Sequence, residues 1–299
     1  MAFINDDKLY TCGYNICGQL GLGHNDNVNI PTQVGEFNDV TSVSCGLNHT
    51  VFINDGKLYS CGYNYYGQLG LGHNDNVNIP IQVGEFNDVT SVSCGSNHTV
   101  FINDSKLYTC GYGVDGQLGL GDNNIINIPT RLKNFNNVTS VSCGSHHTVF
   151  INNNKLFACG FNYDRQLGTQ NNHIMKIPIQ LYGFNNVMFV SCGNCNTAFI
   201  NNNKLYVCGN DEQGQLGSYH SDNVNIPTQV KIPNDVILLP VMKTSVSFVC
   251  NGKLYMSNHS LFKKFGLNRG DCISGFVEVL DFKPFIPLRR FKKTKSARN

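Results

Sequence analysis

The amino-acid sequence predicts an all-β protein assembled from repeated units. One pattern returns every 49 residues along most of the 299-residue chain. Within each unit, short runs of β-branched and aromatic residues alternate with Gly, Asn, Asp and Pro, which is typical of strands joined by turns. No segment shows the apolar spacing of an amphipathic helix. A period of about 20–50 residues indicates a solenoid, a propeller or an array, because one unit cannot bury its apolar face alone.

Three markers define the repeat. A Lys-Leu-Tyr or Lys-Leu-Phe triplet begins at Lys8, Lys57, Lys106, Lys155, Lys204 and Lys253. A proline recurs with the same step at Pro31, Pro80, Pro129, Pro178 and Pro227, and a cysteine at Cys45, Cys94, Cys143 and Cys192. The units that begin at Lys8 and Lys57 differ at only six of 49 positions, which implies a recent duplication.

One unit predicts four strands. Residues 40–45 are rich in β-branched residues, and residues 50–53 are a short apolar run that suits a strand covered on both faces. Residues 57–61 form the returning strand after residues 54–56, whose Asn, Asp and Gly tolerate the positive φ of a tight hairpin turn. Residues 79–83 form the fourth strand, and its proline indicates an edge position, where no amide proton is needed.

Four-stranded sheets repeated around an axis form a β-propeller. We expect about six four-stranded blades in residues 1–282, with a degenerate last unit from Lys253, followed by a basic tail in residues 283–299. Residues 2–6 match the second strand of the later units, and the last unit lacks a matching segment. We therefore expect the N-terminal strand to close the ring, with both chain ends in one blade. A β-solenoid is the alternative, although its coils are usually shorter.

The composition predicts an intracellular, globular protein. Charged residues make up 14% of the chain, no apolar run approaches the roughly 18 residues of a membrane span, and the N-terminal residues do not resemble a signal peptide. A nuclear and a cytoplasmic location both remain open. Most of the 13 cysteines occupy two repeat positions inside strands, which indicates small buried side chains. These positions are the Cys45 series and Cys12, Cys61, Cys110, Cys159 and Cys208.

The residues that could carry chemistry follow the repeat. His49, His98 and His147 each lie four positions after a cysteine, but each set falls on a different blade, so we expect core or turn histidines and no metal site. Cys192 and Cys195 form a lone Cys-x-x-Cys pair without a helix or a second pair. The recurrent glutamines are expected to satisfy loop backbone. We predict no catalytic residue, no cofactor and no enzyme.

The repeat motif resembles that of the regulator of chromosome condensation family. Residues 12–23 read Cys-Gly-Tyr-Asn-x-x-Gly-Gln-Leu-Gly-Leu-Gly, Ile30-Pro31 follow, and residues 40–50 read Val-x-x-Val-x-Cys-Gly-x-x-His-Thr. The pattern recurs at intervals of 49 residues, and the resemblance covers residues 2 to about 282. It implies a propeller that binds other proteins.

The resemblance also implies a possible exchange activity. The founding member of this family exchanges guanine nucleotide on the Ran GTPase through a β-wedge added to a seven-bladed ring. In this sequence the spacing never departs from 49 residues, so we expect no such wedge. Arg165 replaces a repeat glycine, and Lys263-Lys264-Phe265-Gly266 replaces Gly-Gln-Leu-Gly in the last unit.

One loop changes its chemistry from unit to unit. Ile16-Cys17 becomes Tyr65-Tyr66, and the later equivalents are Val114-Asp115, Tyr163-Asp164 and Glu212-Gln213. Binding residues tend to lie on loops held by a rigid scaffold. Tyr65, Tyr66 and Tyr163 are therefore our candidates for partner contact, although drift on a surface loop would also produce such variation.

The C-terminal tail carries the second candidate site. Its basic residues are Arg289, Arg290, Lys292, Lys293, Lys295 and Arg298. Such a cluster is typical of a nuclear localisation signal or a nucleic-acid patch, and equally of a solvated tail.

The sequence thus favours a monomeric, non-enzymatic scaffold that binds a protein partner, with no membrane contact. Two alternatives remain open. One is an exchange factor or regulator of a Ran-like small GTPase, and the other is a chromatin or nucleic-acid binder acting through the tail.

Overall fold

A computed structural model of the chain describes residues 1–122, 124–217, 223–232, 237–238, 245–257, 269–273 and 275–279. Its regular structure is a series of antiparallel sheets, which we call blades 1 to 6. No helix in these ranges has the length and apolar character that a membrane crossing requires.

The strands are as follows. Blade 1 contains β1 (Ala2–Asn5), β2 (Lys8–Gly13) and β3 (Val28–Gln33). Blade 2 contains β4 (Val40–Cys45), β5 (His49–Asn54), β6 (Lys57–Gly62) and β7 (Val77–Gln82). Blade 3 contains β8 (Val89–Cys94), β9 (His98–Asn103), β10 (Lys106–Gly111) and β11 (Ile126–Arg131). Blade 4 contains β12 (Val138–Cys143), β13 (His147–Asn152), β14 (Lys155–Gly160) and β15 (Met175–Gln180). Blade 5 contains β16 (Val187–Cys192), β17 (Asn196–Asn201), β18 (Lys204–Gly209) and β19 (Val224–Gln229). Blade 6 contains β20 (Ile237–Leu238), β21 (Ser247–Cys250), β22 (Lys253–Met256), β23 (Arg269–Ile273) and β24 (Phe276–Val279).

The predicted all-β propeller is confirmed, and so is the predicted order of strands within a unit. In blade 2 the strands pair in sequence order, so that β7 with its Pro80 lies at an edge of the sheet. Asp55 and Gly56 form the hairpin turn with φ of 51° and 67°. Such left-handed values are what the Asn-Asp-Gly turn predicted.

The first and last blades depart from four strands. Blade 1 has three strands in the described residues, because β1 pairs with β2 and has no strand of its own before it. The prediction that both chain ends meet in this blade concerns residues outside the described ranges. Blade 6 has a fifth strand in addition to the four of the repeat. The segment before Phe276 lacks the glycine loop of the other units, and it pairs with β24 as an extra strand through a turn at Gly275.

The hydrophobic core lies between successive blades. The side chains of β5 alternate across the sheet, as those of any strand must. Val51 and Ile53 pack against Phe101 of blade 3, whereas Phe52 packs against the Leu9 side of blade 1. Equivalent clusters join blades 3 and 4, blades 4 and 5, and blades 5 and 6. Blades 2 to 5 are therefore each buried on both faces by their neighbours.

Hydrogen bonds repeat at the same interfaces. The hydroxyl of Thr99 in blade 3 donates to the carbonyl of Gln68 in blade 2 at 2.7 Å, and the same hydroxyl lies 3.0 Å from Nε2 of His49. Because the single hydroxyl proton goes to the carbonyl, His49 must be the donor to Thr99. The same pair of bonds recurs between blades 3 and 4, and between blades 4 and 5. They involve His98 with Thr148 and Gln117, and His147 with Thr197 and Gln166.

The expectation that these are core histidines is confirmed by this geometry. His49, His98 and His147 are buried, and burial lowers their pKa to about 4, 3 and 3. They are therefore neutral at physiological pH and join blades as hydrogen-bond donors. In the described ranges no group of three or more His, Cys, Asp or Glu side chains could hold a metal ion.

The cysteine prediction holds only from the second member of each series. Cys61 and Cys94 are buried, but Cys12 is half-buried and Cys45 is exposed. The reason is positional, because each of these thiols packs against the blade before it. The Cys94 thiol, for example, donates to the Ser44 carbonyl at 3.5 Å. In the described residues, blade 1 offers Cys45 no such first strand.

Candidate protein-interaction face

One end of the blades carries the variable loop. In a four-stranded antiparallel sheet, the links between strands one and two and between strands three and four lie at the same end. We call this end the upper face. In blade 2 it comprises residues 46–48 and 63–76. The two kinds of loop touch one another, since the amide of Tyr63 donates to the carbonyl of Asn48 at 2.8 Å.

The shorter loops of the upper face surround the propeller axis. Backbone hydrogen bonds link them in sequence, from Leu47 N to Ser96 O, from Ser96 N to Ser145 O, and from Ser145 N to Asn194 O, each at 3.1 Å. They enclose a cavity of about 190 Å³ that is lined by Cys-Gly-x triplets of four blades. The triplets begin at Cys45, Cys94, Cys143 and Cys192.

A glutamine fixes the backbone of each longer loop. The side-chain oxygen of Gln68 accepts the amide of Tyr66 at 3.1 Å, and that of Gln117 accepts the amide of Asp115 at 3.0 Å. The same bond is made by Gln19, Gln166 and Gln215. The prediction that these glutamines satisfy loop backbone is thereby confirmed. Because the variable residue contributes only its amide to this frame, its side chain is free to differ.

The close approach of neighbouring blades restricts the glycine beside that glutamine. A Cβ on Gly67 would lie 2.5 Å from the Cα of Asn127 in blade 3. Gly67 also has a φ of 72°, which an L residue adopts only with strain. Arg165 occupies the equivalent position of blade 4 with a φ of 65°, and its guanidinium donates to the carbonyl of Gln170 at 2.6 Å.

The three predicted contact tyrosines all lie on the upper face. Tyr65 is 64% exposed and Tyr163 is 58% exposed, whereas Tyr66 is half-buried beneath its neighbours. The ring of Tyr66 meets Tyr65 edge-on at 5.1 Å and Tyr112 of blade 3 at 5.1 Å. Their role in binding a partner stays a prediction.

The structure adds four rings that sequence reasoning missed. Tyr63, Tyr112 and Phe161 belong to the repeated Cys-Gly-Tyr-Asn motif and its variant, which looked purely structural. His146 lies next to a core histidine, and no periodic signal marks it. The chain of ring contacts runs Tyr65, Tyr66, Tyr112, His146, Phe161 and Tyr163, with Tyr63 packed on the first two. We call these seven residues the aromatic belt. It crosses blades 2, 3 and 4.

Two carboxylates lie beside the belt. Asp115 accepts a 2.9 Å contact from Nδ1 of His146 across the interface of blades 3 and 4. Asp164 hydrogen-bonds the thiol of Cys195, and burial together with this carboxylate raises the pKa of Cys195 to about 12. That thiol therefore stays protonated at neutral pH.

The second candidate site cannot be placed on this face. Arg289, Arg290, Lys292, Lys293, Lys295 and Arg298 lie outside the described residues. Their role as a localisation signal or nucleic-acid patch remains a prediction.

A repeat propeller with variable loops on one face defines a class of protein, and comparison with known proteins gives the family. The model of the regulator of chromosome condensation (RCC1) repeat matches residues 6–53, 55–102, 104–151, 153–200 and 202–247. The chain belongs to this family.

Solved structures share the fold at low sequence identity. Human WBSCR16 superposes with a TM-score of 0.69 at 24% identity, over 78% of this chain and 65% of that chain. Yeast RCC1 (Prp20), in its crystal structure bound to Kap60, gives a TM-score of 0.75 at 17% identity, over 92% of this chain and 71% of that chain. A structure of Prp20p from Saccharomyces cerevisiae, described with its binding to Gsp1p and histones, gives 0.74 at 18% identity, over 92% and 73%.

Proposed function

We propose that this protein is a non-enzymatic scaffold that binds a protein partner through its upper face. The observation that carries the proposal is the contrast within each blade between a repeated interior and a variable loop. Gln68 and Thr99 recur as far as blade 5, whereas the residue pair at Tyr65-Tyr66 is different in each of the five units. Tyrosine is enriched at protein interfaces because its ring gives a large, rigid contact with a polar end.

Affinity capture tests this proposal. Full-length tagged protein is incubated with native cell extract, cross-linked and analysed by mass spectrometry. We expect a protein partner whose yield falls at least tenfold with Tyr65→Ala/Tyr66→Ala. A matched control is Tyr182→Ala, since Tyr182 is 84% exposed but lies between β15 and β16, at the opposite end of the blades. Failure to retain any protein above the background of an unrelated propeller would contradict the scaffold function.

A second candidate is an exchange factor for a Ran-like GTPase. The similarity in fold to Prp20, which was described together with its binding to Gsp1p, supports it. The uniform 49-residue spacing of the first five units argues against it, because it leaves no insertion for a wedge. We expect that catalytic amounts of the protein will not accelerate release of labelled GDP from Ran. Accelerated release would favour the exchange factor over the scaffold.

The third candidate is chromatin or nucleic-acid binding by the tail. Its support is the basic cluster in the sequence. Alanine at Arg289, Arg290, Lys292 and Lys293 is expected to reduce nuclear accumulation, or salt-sensitive binding to nucleic acid, if the tail serves either role. Unchanged distribution and binding would leave a plain solvated tail.

A further inference from the structure

The aromatic belt is continuous across three blades. Neighbouring ring centroids along its main path lie between 4.7 and 6.4 Å apart, and most of the pairs meet edge-to-face or tilted. Edge-to-face packing holds each ring in place, so that the belt presents ring surfaces that are already ordered. When a partner binds along the belt, the side chains of the belt therefore lose little conformational entropy.

The charge around the belt has one predominant sign. Among the upper-face loops of the described residues, acidic side chains include Asp75, Asp115, Asp122, Asp164 and Glu212. The lysine and arginine side chains at this end of the described residues are Arg165, whose guanidinium donates to a carbonyl, and Lys176 of β15. Asp115 and Asp164 occupy the same repeat position as Tyr66, so at this position a ring in blade 2 is followed by carboxylates in blades 3 and 4.

This combination selects a chemistry. Arginine stacks on aromatic faces and pairs with carboxylates in a planar fork, so one side chain can use both kinds of group. Nucleic-acid bases also stack on tyrosine, but the carboxylates would repel the phosphates. An acidic segment would be repelled by Asp115 and Asp164, and a purely apolar segment would gain no ionic contact from them.

We propose that the aromatic belt binds an extended, arginine-containing segment of a partner protein. The ring faces of Tyr65 and Tyr163 receive guanidinium groups, and Asp115 and Asp164 pair with them. The proposal rests on the scaffold function of the upper face and specifies the chemistry of its partner.

The test uses synthetic probes and the full-length chain. A fluorescein-labelled peptide in which arginine alternates with glycine and serine is titrated by fluorescence anisotropy. The comparison probes are the same peptide with citrulline in place of arginine, and a labelled single-stranded oligouridine. We expect the arginine peptide to bind at least tenfold more tightly than the citrulline peptide, because citrulline keeps the planar shape without the charge.

Variants assign the binding to the belt. Tyr65→Ala/Tyr66→Ala and Asp115→Asn/Asp164→Asn are each expected to weaken peptide binding at least tenfold, and the second pair also to reduce its salt dependence. Tyr182→Ala is expected to bind as wild type does. Thermal melts show that each variant is folded, and single substitutions replace any pair that is not.

Several outcomes would overturn the proposal. One is that the arginine and citrulline peptides bind equally well, and another is that the wild type binds no peptide. The others are that peptide binding is unchanged in both belt variants, or that oligouridine binds the belt more tightly than the arginine peptide. Failure here is distinct from failure of the scaffold function. A protein partner captured by wild type and insensitive to arginine-peptide competition would leave the scaffold intact and remove only the arginine specificity.

Discussion

The interior of a blade and the loop above it differ sharply in how much they vary. Gln68 binds both its own loop and the next blade, and it recurs in blades 1 to 5. Tyr66, two residues earlier, is replaced by Cys, Asp, Asp and Gln in the other units. The difference lies in what each residue contributes, since Gln68 uses its side chain for the frame and Tyr66 only its amide. Variation is therefore tolerated where the backbone alone carries the structural contact.

Among substitutions that test this difference between interior and loop, Phe101→Ala is expected to lower the unfolding free energy most. Phe101 is fully buried between blades 2 and 3 and packs on Phe86 and Tyr108 with ring centroids 4.8 and 5.3 Å away. Truncation of a buried phenylalanine costs about 3–5 kcal/mol of unfolding free energy. Urea denaturation measures it, and a loss below about 1 kcal/mol would show that the blade interfaces do not determine stability.

Alanine substitutions at two glycines test how much the contact between blades contributes to stability. Gly67→Ala introduces a Cβ 2.5 Å from Asn127, whereas Gly214→Ala, at a φ of 69°, meets no atom of the described residues within 4 Å. In both variants a left-handed alanine lowers the unfolding free energy by about 1–2 kcal/mol, and the clash lowers that of Gly67→Ala by about 1–3 kcal/mol more. Equal losses in the two melting curves would contradict the close packing of blades 2 and 3.

The buried histidines make stability depend on pH. The pKa of His98 is lowered to about 3 in the folded protein, so below pH 6.5 the unfolded state binds the extra proton. As the pH is lowered below 6.5, the contribution of His98 therefore decreases the unfolding free energy by up to about 1.4 kcal/mol per pH unit, until the pH approaches 3.

Comparison with His98→Asn isolates this term. Asparagine stands naturally at the equivalent position in blade 5, as Asn196. We expect the variant to be about 1 kcal/mol less stable at pH 7.5, because it loses the bond to Thr148. The deficit should shrink and reverse near pH 5. A constant deficit between pH 7.5 and 5 would mean that His98 takes up its proton in the folded state.

The smallest change in unfolding free energy is expected for a substitution in the variable loop. Tyr65→Ala should change the unfolding free energy by no more than about 0.5 kcal/mol, because the side chain is mostly exposed. Melting curves of wild type and variant at the same pH check this. A loss as large as that of Phe101→Ala would place the loop within the structural frame and remove the contrast.

The sequence predicted the strands and turns well because both depend on local residue types. The Asn-Asp-Gly turn at residues 54–56 and the edge proline Pro80 are examples. The extra strand of blade 6 could not be predicted, because the repeat motif is lost before Phe276. The aromatic belt was found only in part, since its continuity depends on contacts between blades, such as Tyr66 with Tyr112, that no single unit encodes.

The sequence unit is out of phase with the sheet. The unit of residues 8–56 contains the two outer strands of blade 1 and the two inner strands of blade 2, so that Gln19 and Thr50, which join the blades, are copied together. A tandem gene duplication of this unit therefore inserts a complete interface between two blades. The loop that is copied with it, at residues 16–17, can then change its sequence without destabilising that interface. Evolution along this route yields a modular surface whose contact positions change one at a time.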